Sequence, residues 1–327
     1  MKRPASGLIL AAGLGSRLHP LTIRLPKPLF PAFGSTMVDL ALHRMKAVLR
    51  SKDLFVNVHH LPEVMHRYFE SRPAWQEVRI SKETTLLGTG GAVRAIMPDL
   101  DPDADLILYN ADIYSDIDLS AVLDQHRRSK AVATMVLLQS WQPGSNPVAV
   151  RGERVQAIGS VPPECRPHTF TGVHILSPEF RTALPDGGFC HIIDIYDQLL
   201  AEDALVAASV HRGIWHDTGT PLALQKAMQE LLGLREQRDP DLLSCLPPDD
   251  RGPAGLRSWL HPDCTGPGLP SRPEDVLIMA PQFLPAGIHL HNCILLTDCR
   301  LQTGDSVHDG IALDELRLPF RPPPGQT

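Results

Sequence analysis

The 327-residue chain has no run approaching the roughly 18–20 apolar residues that a membrane-spanning helix needs. It has no surplus of positive charge either. Its 31 Lys and Arg against 37 Asp and Glu give a net charge of −6 and a pI near 6.2. That balance argues against nucleic acid or an anionic membrane as partner, since both favour a basic footprint. The six cysteines (Cys165, Cys190, Cys245, Cys264, Cys293 and Cys299) contain no C-x-x-C pair. A zinc ribbon and a thioredoxin motif are thereby excluded, and scattered reduced thiols are expected. The fifteen histidines include His59-His60 and His289-x-His291, but neither pair has H-E-x-x-H context or cysteine partners at ligand spacing. Lys2 and Arg3 precede LILAA, an apolar stretch too short for a signal peptide that runs straight into basic sequence, so the chain reads as cytoplasmic.

What remains is ordinary globular composition, 43% hydrophobic and 21% charged, long enough for one large domain and a smaller one. From residue 7 to about 232, short apolar runs alternate with amphipathic stretches. Strands are expected at Leu8–Ala12, Leu54–Val58, Leu106–Asn110, Val132–Leu138 and Gly172–Leu176. Helices are expected at Met37–Leu49, Pro62–Glu70, Leu119–Ser129, Ile195–Ala201 and Pro221–Leu232. This alternation predicts an α/β domain over 1–233, with a Rossmann-like, mostly parallel mixed sheet and helices on both faces. Ligands in such sheets sit beyond the carboxyl ends of strands, which is where Gly13 and Asp112 fall.

Residues 234–275 are dense in proline and glycine and read as a linker. Beyond them, over 276–320, apolar residues recur at Ile288, Ile294, Leu301, Val307 and Leu313, a spacing of six with one slip to seven. Hexapeptide spacing points to a small C-terminal β domain built as a short left-handed parallel β-helix; a β-hairpin module is the competing reading. Oligomerisation, or packing against the first domain, is the simplest role for it.

Residues 8–31, LILAAGLGSRLHPLTIRLPKPLFP, join an apolar strand to a glycine loop and a basic, proline-punctuated segment. The loop satisfies two glycines of G-x-G-x-x-G, but Leu18 stands at the third and Pro20 would break a helix opening there. No G-K-[ST] closes a P-loop. A glycine turn able to present backbone N–H groups to an anion is left, with Arg17 and Lys27 as nearby cations suited to a polyphosphate.

These residues carry a resemblance. LAAGLGSRLHPLTIRLPKPLFP resembles the opening motif of the sugar-1-phosphate nucleotidyltransferases, G-x-G-x-R followed by P-x-T and P-K-P. KETTLLGTGGAV, LILYNADIYSD, FTGVHILSP and WHDTGTP then resemble that family's later motifs, in the family's order. Mannose-1-phosphate guanylyltransferases and N-acetylmuramate-1-phosphate uridylyltransferases are the subfamilies most similar in motif content. The resemblance implies Mg²⁺-dependent transfer of a nucleotidyl group from an NTP to a sugar 1-phosphate, with release of pyrophosphate. It leans towards GTP with mannose or heptose 1-phosphate. The alternatives are uridylyl transfer and a non-catalytic nucleotide-sugar-binding subunit. An attacking phosphate with a second pKa of roughly 6 is already largely dianionic at neutral pH, so no general base is required. Positioned cations are required instead, to offset repulsion between anions and charge on the leaving group.

By the same resemblance, Arg17 and Lys27 are the catalytic cations, and Asp112 and Asp217 hold the metal. Leu10, Ala11, Ala12, Gly13, Gly15, Ser16, Gly88, Thr89, Gly90 and Asn110 line the nucleotide, while Glu83, Arg166, Thr171 and Gly172 serve the sugar phosphate. Asp116, Asp118 and Asp194 are expected to be turn formers or caps, and Lys82 and Arg94 solvated charges. The chain departs from the family pattern twice: N-A-D stands for N-G-D, placing Ala111 where glycine would allow a positive φ, and Leu86 replaces a common proline.

Overall fold

The computed structural model describes residues 3–33, 35–236, 258–261, 263–270, 275–297 and 299–321. The strands of its two larger sheets, in chain order, are Ala5–Leu10 (β1), Leu54–Val58 (β2), Arg79–Lys82 (β3), Asp105–Asn110 (β4), Ala133–Leu138 (β5), Pro147–Arg151 (β6), Arg154–Ile158 (β7), Arg166–Leu176 (β8) and Val206–His211 (β9). Five more follow: Trp259–Leu260 (β10), Val276–Ile278 (β11), His289–Leu295 (β12), Ser306–Leu313 (β13) and Leu316–Pro319 (β14). The α-helices are Met37–Lys46 (α1), Pro62–Glu70 (α2), Gly88–Ile96 (α3), Leu119–Ser129 (α4), Ile192–Ala201 (α5) and Pro221–Glu236 (α6). The chain forms two compact units, Met1–Gly13 with Ala41–Trp215, and Leu14–Leu40 with His216–Thr327.

The first unit contains a nine-stranded sheet in the order β3-β2-β1-β4-β8-β5-β9-β7-β6. Strands β3, β2, β1 and β4 are parallel neighbours, as are β5 and β9. Strands β8 and β7 run against their neighbours, so the sheet is mixed. Leu106, Ile107 and Leu108 of β4 are fully buried in succession. A central strand covered on both faces has such a continuous apolar run.

The expected strand Leu54–Val58 and helices Pro62–Glu70 and Leu119–Ser129 form with those bounds. Asp118 caps α4 by accepting the Ala121 N–H at 2.9 Å. Helix α3 was not expected, because GTGG disfavours a helix by about 1 kcal/mol per glycine. Burial of Ala92, Val93 and Ile96 in the core offsets that cost. Beneath β8, His174 Nδ1 and the Tyr196 hydroxyl lie 2.6 Å apart and fully buried. Burial pushes the imidazole down to about 3 and the phenol upward.

The second unit contains the segment Leu14–Leu40, α6 and a five-stranded sheet in the order β10-β11-β12-β13-β14. The first four strands are parallel, and β14 pairs antiparallel with β13. Parallel partners lie 17 or 18 residues apart, as in Trp259↔Leu277, Val276↔Cys293 and Cys293↔Gly310. The separate parallel bridge Thr265↔Phe283 repeats the offset of 18. Three six-residue sides per turn would give this offset. Val307 lies in the core of this sheet, with Ile288 and Leu301 partly buried beside it, whereas Ile294 and Leu313 are buried outside that core, which Cys293, Leu295 and Ala312 fill instead. Most of the expected linker lies outside the described residues. Trp259 and Leu260 inside it form a strand, however, so this sheet begins before residue 276. Among the described residues no helix is long and apolar enough to cross a membrane.

Candidate active site

In the first unit, a buried polar relay fixes the loops that leave β1, β2 and β3. The Ala11 N–H donates to Asn57 Oδ1 at 2.7 Å, and Asn57 Nδ2 donates to Glu83 Oε1 at 2.7 Å. The second carboxylate oxygen of Glu83 accepts the Leu87 N–H at 3.0 Å. Glu83 is only 4% exposed. The resemblance assigns it to the sugar phosphate; in the structure one oxygen takes the Asn57 amide and the other holds the turn before α3. Asn57, which the motifs did not single out, is the hinge of the relay.

Gly88 and Gly90 open α3 against the chain around Cys190. The Gly90 N–H donates to Cys190 O at 3.0 Å, and Cys190 N–H donates to Leu87 O at 2.8 Å. A Cβ on Gly88, whose φ is +72°, would meet Cys190 O at 2.5 Å. Close backbone approach thus explains these glycines without a ligand. Thr89 between them is half-buried. Arg94, expected to be a solvated charge, binds the carbonyls of Pro185 and Gly188.

At the end of β4, Asn110 and Asp112 are half-buried. Ala111 is buried, takes no positive φ, and donates its N–H to Leu10 O at 3.0 Å, so the loop accommodates the missing glycine. Gly172 has a φ of +82°, and a Cβ there would meet Asn110 Nδ2 at 2.5 Å. Thr171 is 1% exposed and donates its hydroxyl to Val136 O at 2.8 Å, which turns that side chain into the sheet. Arg166 lies exposed at the start of β8, six residues before Gly172, roughly 20 Å away along an extended strand. The structure therefore does not group it with Thr171 and Gly172. Asp116 binds Ile214 N–H at 2.7 Å and lies 3.0 Å from His211 Nε2, a structural use. Leu10 ends β1, Ala12 is buried, and Gly13 is exposed with open space where a Cβ would stand.

In the second unit, Ser16–Leu18, Leu21–Ile23 and Lys27–Leu29 are three short 3₁₀ turns, with no α-helix after the glycine loop. Ser16 and Arg17 are exposed, while Leu18 is buried. Thr22 Oγ1 donates to Gly15 O at 3.2 Å and closes the turn. Asp217 brings the charges together. Lys27 Nζ lies 3.7 Å from its Oδ1 and Arg17 Nη2 lies 3.9 Å from its Oδ2. The Gly219 N–H donates to Oδ1 at 2.6 Å. The Lys27 side chain is 8% exposed, whereas Arg17 is 63% exposed. One cation is fixed and the other faces solvent beside the same carboxylate, an arrangement that can take up the oxygens of a phosphate chain.

Residues 6–233 match the family model described as nucleotidyl transferase. The chain belongs to the nucleotidyl transferase family. Among curated relatives, it is 27% identical over 251 residues to a mannose-1-phosphate guanyltransferase of Yarrowia lipolytica, covering 72% of this chain and 67% of that one. It is 26% identical to the mannose-1-phosphate guanylyltransferase of Mycobacterium tuberculosis, covering 65% of this chain and 61% of the relative. The chain thus spans about two thirds or less of the length of these guanylyltransferases. An N-acetylmuramate alpha-1-phosphate uridylyltransferase of Caulobacter vibrioides is 28% identical, with 67% of this chain and 94% of that protein covered. Among solved structures, HddC from Yersinia pseudotuberculosis complexed with GMP-PN shares the fold, with a TM-score of 0.57 and 18% identity over 69% of this chain and 99% of that one.

Proposed function

We propose that this chain transfers a nucleotidyl group from an NTP to a sugar 1-phosphate and releases pyrophosphate. The observation that carries this reading is the Asp217 carboxylate flanked by Lys27 and Arg17, set in a chain of the nucleotidyl transferase family. The GTP and mannose-1-phosphate pairing is favoured by the guanylyltransferase names of several relatives, while heptose 1-phosphate rests on the motif resemblance alone. The uridylyl reading rests on the Caulobacter relative, nearly all of whose length is matched.

In this reading Lys27, confined by burial, holds the phosphate chain, and the exposed Arg17 moves onto it as charge builds towards the leaving pyrophosphate. Asn110 and the turn at Gly13–Ser16 contact the nucleotide, and Gly172 leaves room for the Asn110 side chain. Asp112 and Asp217 would hold Mg²⁺. Among the described residues no cluster of three or more His, Cys, Asp or Glu forms a metal-holding group. The Asp112 and Asp217 pair is assigned by the motif resemblance, and carboxylates are the ligand type that Mg²⁺ takes from a protein, one or two at a time, with water and substrate phosphates completing its octahedron. When bound, the metal would supply charge neutralisation on the phosphates. The incoming sugar phosphate arrives as a dianion, and the chain's residues need move no proton.

Pyrophosphate release across the four NTPs and a panel of sugar 1-phosphates tests the reading. Turnover is expected with a guanine or uracil nucleotide, and no turnover with any pair would overturn it.

A further inference from the structure

The cation-bearing segment Leu14–Leu40 precedes the C-terminal strands by more than two hundred positions, yet it belongs to the same compact unit as they do. Two sets of contacts join them, and a third joins α6 to the same strands. Phe33 packs edge-on against Trp259 of β10, with ring centroids 5.4 Å apart and planes at 87°. Both side chains are essentially fully buried. The turn Leu21–Ile23 packs on β14, and Arg24 Nη2 lies 3.6 Å from Glu315 Oε1 at the β13–β14 turn. In α6, which follows the Asp217 loop, Gln225 Nε2 donates to Asn292 Oδ1 of β12, and Asn292 Nδ2 donates to Asp309 Oδ1 of β13.

These contacts surround the two charged groups in sequence. Arg24 and Phe33 bracket Lys27, and Gln225 sits in the second turn of the helix behind Asp217. Phe33 has a φ of +51°, a conformation that an aromatic residue seldom keeps unless its surroundings hold it there. Trp259 is the ring that packs against it. Lys27 reaches Asp217 on a flexible four-carbon stem, so the position of its ammonium depends on how firmly the surrounding segment is seated.

We propose that the C-terminal five-stranded sheet is a platform that sets Lys27 and Asp217 in place, with Trp259 and Asn292 as positioning residues. Their catalytic consequence rests on the nucleotidyl-transfer reading. Their effect on Lys27 does not. Trp259 acts through Phe33 on the segment carrying Lys27, and Asn292 acts through Gln225 on the helix behind Asp217. Neither contributes a charged group to the reaction.

The test uses full-length Trp259→Ala, Trp259→Phe and Asn292→Ala. Amine-reactive labelling of Lys27, read by mass spectrometry against Lys82 of the other unit, is compared with kcat and KM. In Trp259→Ala, Lys27 labelling should rise about tenfold relative to Lys82, as a buried segment becomes loosely held. Its kcat should fall about 100-fold, the scale of a displacement of about 1 Å. Trp259→Phe should restore both, because an aromatic ring again faces Phe33. If Trp259→Ala fails to fold by far-ultraviolet circular dichroism, Trp259→Leu, which keeps apolar bulk without the ring, carries the labelling comparison. Unchanged Lys27 labelling in a folded, active variant would overturn the platform. Raised labelling in a chain whose wild type transfers no nucleotide would support the platform and refute the proposed function.

Discussion

Replacing Glu83 by glutamine separates two roles for this carboxylate. The relay has a fixed direction. Asn57 Oδ1 is committed to the Ala11 N–H, so Asn57 must present its Nδ2 donor to Glu83, and the Leu87 N–H is a donor as well. Glutamine offers one acceptor and one donor to these two donors. One contact therefore becomes N–H facing N–H, and Asn57 cannot flip to relieve it without abandoning Ala11. A buried donor left unmade costs about 1–3 kcal/mol, and the surviving bond loses its charge assistance. The expected destabilisation is about 2–4 kcal/mol, read from urea midpoints, in a variant that still folds because domain stabilities run to about 5–15 kcal/mol. Because Leu87 sits at the entry to α3, kcat should fall with stability. Combining the change with Asn57→Ala should cost less than the sum, since both act on one network. A loss below about 0.5 kcal/mol, with only the KM for sugar phosphate altered, would refute the relay and return Glu83 to ligand contact.

Stability should also fall in acid because of His174. Its folded form stays neutral down to about 3, while an unfolded histidine titrates near 6.5. Between those values the unfolded chain binds the extra proton, so this contribution is complete above pH ~6.5 and declines by about 1.4 kcal/mol per unit as pH falls. His126, also pushed down by burial, adds in the same direction. Urea midpoints measured from pH 7.5 to 5 should show the slope, and His174→Gln should lose its share; an unchanged slope would refute the assignment. Gly172→Ala should destabilise by about 1–3 kcal/mol for the positive φ and raise the KM for NTP, because the new methyl displaces Asn110. Adding Asn110→Ala should relieve the contact but not the positive φ, so stability returns only in part and nucleotide affinity stays low.

The order of the motifs made much of the catalytic half legible. The signature loop, the N-A-D strand and the W-H-D segment each lie at strand ends, and periodicity gave β2, α2 and α4 their bounds. What the sequence could not show was side-chain direction. Glu83 and Thr171 fall within the expected motifs, but their polar atoms point into the fold. Asn57 carried a faint signal, a lone amide in the apolar strand LFVNV, and its partners are remote in sequence. Helix α3 was hidden because its glycines read as a loop, and the close approach of Cys190 to Gly88 and Gly90 and of Leu87 to Gly91 is set by tertiary packing. Packing of the C-terminal module against the first domain was one expected role, but that Leu14–Leu40 meets it was not legible, because Phe33 and Trp259 share no local pattern.

The most direct measurement is pyrophosphate release by the wild-type chain and by Asp217→Asn, with GTP or UTP and mannose 1-phosphate or N-acetylmuramate 1-phosphate, with and without Mg²⁺. The account predicts Mg²⁺-dependent turnover by the wild type with at least one pair, falling at least about 100-fold in Asp217→Asn when a group central to phosphate positioning is lost. Absence of wild-type turnover with every pair, or undiminished turnover in Asp217→Asn, would contradict it.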